Sequence, residues 1–127
     1  MTLKKLILLL MTLFLFSCAS GPTVFSAKGN LDVQYTACEN NIRTLSFTII
    51  AETDLYSPYL VLNGTEDGKE FKKVLNFSSS INAGESLTIK ETFLCNIENM
   101  TAYGWEEATS GYSPLIYGIE DVSISIK

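Results

Sequence analysis

From Leu31 onward the apolar residues of this chain recur at every second position. A period of two is that of a β-strand with one buried face, whereas a helix would repeat near 3.6. Leu31, Val33 and Tyr35 alternate with polar neighbours, and so do Leu45, Phe47 and Ile49. Phe71, Leu75 and Phe77 share a face that Lys73 interrupts. Leu87, Ile89 and Phe93 share one that Glu91 interrupts. Val122, Ile124 and Ile126 form the cleanest alternation, and Tyr59 to Leu62 make a short unbroken apolar run. Asn63-Gly64 and Asp67-Gly68 are read as punctuating one connection and Ala83-Gly84 another. Between Ile119 and Val122 the apolar set changes parity, with Leu115, Tyr117 and Ile119 on one side of the switch. That predicts a β-bulge or a break between two strands. Asn96 to Glu107 reads as one helical turn or a crossover. Six to eight short strands separated by turn residues predict an all-β fold, a single β-sandwich.

The first seventeen residues follow a different pattern. Lys4 and Lys5 precede the apolar run Leu6 to Phe16, and small residues follow it. This is the layout of a cleaved signal peptide. The run has 11 residues, roughly 16 Å as a helix and about half of a ~30 Å hydrocarbon core. The organisation expected is therefore a signal peptide over 1–17, a tether over 18–30 and a sandwich over 31–127.

Leu15-Phe16-Ser17-Cys18 resembles the lipobox of bacterial lipoproteins: an aliphatic residue, a flexible position, a small residue and a cysteine. Phe16 is bulkier than that pattern favours. The resemblance implies that Cys18 becomes an acylated N-terminus, and each buried CH₂ contributes about 0.8 kcal/mol to membrane attachment. The expected address is then a bacterial cell envelope, outside the cytoplasm, at the outer membrane if the cell has one. Cleavage before Gly21 by the ordinary route is the alternative, and it would discard Cys18. Two further stretches, Phe71 to Ile89 and Gly111 to Ile126, resemble lamin-tail-like domains. That resemblance implies an immunoglobulin-like sandwich and does not imply an enzyme.

Charge narrows the choice of partner. The chain carries 9 basic and 14 acidic residues. Two of the basic ones are Lys4 and Lys5, so from Cys18 onward the balance is 7 against 14, a net −7. Nucleic acid is not expected as a partner, because its binding needs phosphate neutralisation. Histidine is absent, which removes the commonest general base and metal ligand. No enzyme, cofactor or metal ion is expected. The membrane is the expected partner through acyl chains on Cys18, with an envelope protein or a carbohydrate beyond it.

Three sets of residues are candidates for chemistry. Cys38 and Cys95 are the pair left after Cys18, and an exported protein keeps disulfides; unpaired burial is the alternative. Tyr103, Trp105, Tyr112 and Tyr117 concentrate aromatic area with polar tips, as recognition surfaces do, with Tyr103, Trp105 and Tyr112 the candidate binding residues, although Trp105 would equally plug the sandwich. Glu66-Asp67, Glu106-Glu107 and Glu120-Asp121 pair carboxylates without calcium-loop spacing.

Overall fold

The computed structural model describes residues 27–107 and 114–127, so Cys18 and Tyr112 lie outside the described residues. The strands are β1 (Ala27–Tyr35), β2 (Ile42–Ala51), β3 (Tyr59–Glu66), β4 (Lys69–Asn76), β5 (Ser86–Leu94), β6 (Ile97–Trp105), β7 (Ile116–Tyr117) and β8 (Val122–Ile124). They form two four-stranded sheets, ordered β5-β2-β1-β7 and β4-β3-β6-β8. The described chain is all-β, and its two sheets make a sandwich.

Alternation decides which side of each strand enters the core. Leu45, Phe47 and Ile49 of β2 are fully buried, as are Leu60 and Leu62 of β3 and Ala102 of β6. These central strands supply the middle of one core cluster, and Leu31, Val33, Phe71, Leu87 and Ile89 pack around it half-buried. Burying one such aliphatic side chain contributes about 1.5–3 kcal/mol.

Turn residues fix the register. Asn40 and Asn41 both take positive φ, 53° and 62°, and close the β1–β2 hairpin with two Glu39–Ile42 backbone bonds of 2.9 and 3.0 Å. Asp67 and Gly68 do the same for β3–β4, at 52° and 78°. Two successive positive φ values match the twist of an antiparallel hairpin, and asparagine, aspartate and glycine tolerate them best. Asn63-Gly64, read from the sequence as part of that connection, instead lies inside β3.

The segment Asn96 to Glu107, expected to hold a helical turn or a crossover, is mostly strand β6. Its alternation is hidden by a bulge. Asn63 pairs with Thr101 but Thr65 pairs with Glu98, so β6 carries one extra residue, and Asn99 takes φ 55°. The buried set therefore jumps from Ile97 to Met100, Ala102 and Gly104. Gly64 lies opposite, where an added Cβ would come 3.1 Å from the Met100 Cα.

The parity switch near the C-terminal end is a break between two strands. β7 joins the first sheet through a parallel two-residue pairing with β1, and β8 joins the second. Gly118, at φ 99°, makes the turn; any Cβ there would strike the Gly29 carbonyl oxygen. Ile116 and Ile119, three apart, point inward, while Tyr117 is exposed. The expected inward set of Leu115, Tyr117 and Ile119 is corrected accordingly. Ile119 sits directly on β6, and a Cβ on Gly104 would approach its side chain to 2.9 Å.

Cys38 and Cys95 form a disulfide with Cα atoms 5.8 Å apart. It ties the tip of the β1–β2 hairpin to the β5–β6 crossover, where the Cys95 N–H also donates to the Asn41 carbonyl at 3.1 Å. The bridge closes 57 positions of chain, which stabilises by roughly 4 kcal/mol in the chain-entropy account. Replacing both cysteines by serine is expected to lower the unfolding free energy by up to about 4 kcal/mol, measured by urea denaturation. An unchanged midpoint would show that the unfolded chain is not restrained by this loop.

Candidate binding face

The two outer faces of the sandwich differ in character. On the first sheet the outward rows are polar: Asp32, Thr48 and Thr88 lie side by side, as do Gln34, Ser46 and Lys90. The Thr48 and Thr88 hydroxyls share a 2.7 Å hydrogen bond. Ile42 and Ile50 of β2 and Tyr117 of β7 are the apolar exceptions, each at least 40% exposed. This is the solvated face that an antiparallel sheet usually presents.

The second sheet carries apolar rows outside as well as inside. Leu60, Leu62, Ala102 and Gly104 point inward, so their neighbours Tyr59, Val61, Tyr103 and Trp105 point outward. Register places Tyr59 opposite Trp105 and Val61 opposite Tyr103. Val74 of β4 extends the second row and is 59% exposed. Leu115 bridges to Trp105 and extends the first. Directly opposed residues stand roughly 5 Å apart on a sheet face, close enough to form one surface. The next row is polar: Lys72, Asn63, Thr101 and Ser123.

Sequence reasoning had singled out Tyr103, Trp105 and Tyr112. The structure brings Tyr103 and Trp105 onto one face, half-buried and two residues apart on β6. It leaves Tyr112 outside the described residues. Trp105 is on the outside of the sheet rather than plugging the sandwich. Tyr59 and Val61 were missed. Their signal was the unbroken run Tyr59 to Leu62, where both faces of a strand are apolar.

The carboxylate pairs have a structural task. Glu66 Oε2 accepts the Leu94 N–H at 2.8 Å. Glu106 Oε1 accepts the Tyr56 N–H at 2.9 Å, and Glu120 Oε2 accepts the Gly118 N–H at 2.5 Å. One member of each pair thus holds a turn or crossover. Among the described residues no three of His, Cys, Asp and Glu gather as a metal-binding group.

Two surface grooves have volumes of about 530 and 520 Å³. Each is lined by one carboxylate, Glu98 in the first and Glu39 in the second, while an acid–base pair needs two converging carboxyls. Lys73 and Glu91, the two interruptions of alternation, meet across the edge of the sandwich at 3.3 Å. The Lys73 ammonium also lies 4.6 Å from the centre of the Phe93 ring. Two inward polar residues on edge strands thereby satisfy each other, a contact worth about 0–1 kcal/mol at this exposure.

No family model matches the chain, and neither a curated protein nor a solved structure matches it significantly.

Glu106→Ala is expected to lower stability by about 1–2 kcal/mol, because it frees a backbone N–H from a charged acceptor. Glu107→Ala, at an exposed neighbour, is expected to stay within about 0.5 kcal/mol. Paired urea melts compare the two, and equal losses would remove the anchoring role of Glu106.

Proposed function

We propose that this chain is an exported, lipid-anchored protein of the bacterial cell envelope with a non-enzymatic binding role. The carrying observation is Leu15-Phe16-Ser17-Cys18 at the end of the apolar run Leu6 to Phe16. The Cys38–Cys95 bridge supports an address outside the reducing cytoplasm. Acyl chains on Cys18 hold the molecule at a membrane, and the segment from Ala19 to Ser26 links that anchor to β1.

The body is read as an immunoglobulin-like sandwich. Strands β1, β2 and β5 stand in the order of A, B and E, and β4-β3-β6-β8 in the order C′-C-F-G. This correspondence supports the reading, and β7 is an addition to it. The apolar outer face of β4-β3-β6-β8 is the binding surface. Contiguous apolar patches on otherwise polar sandwiches mark interaction sites, and Trp and Tyr are the residues that most often dominate them.

Cys18→Ser is expected to move the protein from the membrane pellet to the soluble fraction. Intact mass of the wild-type protein is expected to exceed that of the chain starting at Cys18 by the acyl groups. A mature protein that begins at Gly21 and stays soluble would overturn the anchor.

A further inference from the structure

We infer that the aromatic face of β4-β3-β6-β8 binds an uncharged polysaccharide, with Trp105, Tyr59 and Tyr103 as its stacking platform. This rests on the reading of that face as the binding surface and names its ligand class. Three observations carry it.

The first is composition by row. Tyr59 and Trp105 are directly opposed, and Val61 and Tyr103 form the next row. Beside them runs a row of amide, hydroxyl and ammonium groups, Asn63, Thr101 and Lys72. A pyranose presents the same division, with flat C–H faces and a rim of hydroxyls. Aromatic rings cover the first at low entropic cost, and amide and hydroxyl groups bond the second.

The second is extent. Each apolar row has three members, two spacings of ~4.8 Å, and the rows stand ~7 Å apart, a strip roughly 10 Å by 7 Å between residue centres. That is far below the ~800 Å² per partner of a stable protein–protein interface. It suits a narrow, extended ligand better than a second copy of the chain.

The third is charge. From Cys18 onward acidic residues outnumber basic ones by 14 to 7, and Lys72 is the only cation in the three rows. An anionic polymer would be repelled, and a neutral one is indifferent to this field.

Trp105 is the only tryptophan of the chain, so its emission reports on this face alone. The test titrates the full acylated protein, in detergent micelles, with cellohexaose, chitohexaose and an oligogalacturonate. A saturable change in Trp105 emission is expected with at least one neutral hexasaccharide and none with the anionic one. Tyr103→Ala, which keeps the reporter, is expected to weaken that binding roughly tenfold. Thr48→Ala, on the opposite face, is expected to leave it unchanged, and a thermal melt confirms that each variant is folded.

No saturable response to either neutral sugar overturns the inference, and so does binding that Tyr103→Ala leaves intact. Sedimentation and envelope cross-linking on the same variants separate the two levels of failure. A dimer or a cross-linked protein lost in Tyr103→Ala overturns the polysaccharide and keeps the face as a binding surface. The absence of any interaction sensitive to Tyr103 overturns both.

Discussion

Leu45, Phe47 and Ile49 on one sheet and Leu60 and Leu62 on the other have no route to water in the folded chain. A sheet with one apolar face is stable only when something covers it, and here each sheet covers its counterpart. The remaining architecture follows from keeping those inner rows aligned. The two hairpins with positive-φ Asn and Asp residues set the pairing of β1 with β2 and of β3 with β4. Ile116 and Ile119 then fold the last part of the chain back over the seam. Where an inward position is polar, as at Lys73 and Glu91, it lies at the edge, with its partner supplied by the facing sheet.

Strands whose alternation is unbroken, or broken once as by Glu91 in β5, were legible in the sequence. β1, β2, β5 and β8 appear where the pattern predicts them, although β1 begins at Ala27, ahead of the visible alternation. β6 was not legible, because Asn99 in the left-handed region inserts one residue and reverses parity between Ile97 and Met100. The same irregularity misdirected the reading of Asn63-Gly64. Gly64 is there to admit the bulged strand, not to turn the chain. At the C-terminal end the switch was seen, but its cause, a turn at Gly118, changed which residues point inward. The candidate face was half legible. Tyr103 and Trp105 stand out as aromatics, whereas the apolar run Tyr59 to Leu62 does not say which of its residues face outward.

The two outer faces differ in the chemistry of their central rows. Threonine, serine and lysine rows cover the middle of one sheet, with Ile42, Ile50 and Tyr117 exposed toward its ends and edge. The other sheet accepts Trp105, Tyr59 and Val74 at or near the surface. Trp105 and Tyr59 are half-buried there and still remove much of their large area from water, whereas Val74 stays exposed. The carboxylates that first suggested chemistry instead fasten backbone at Leu94, Tyr56 and Gly118, and so hold in place the loops that frame this face.

The position of the Cys38–Cys95 bridge also bears on mechanics. A pull on the N-terminal end of β1 enters at Ala27 and acts along the axis of that strand. It loads the seven partner pairs between Gly29 and Tyr35 together, in shear rather than one after another. Should that strand slide free, the covalent link just beyond its far end takes up the tension. Force then passes from Cys38 straight to Cys95. The 56 residues enclosed between them form a loop that stretching cannot lengthen. The crosslink is thus a mechanical stop, limiting how far the chain can be drawn out before the load bypasses β2 to β5.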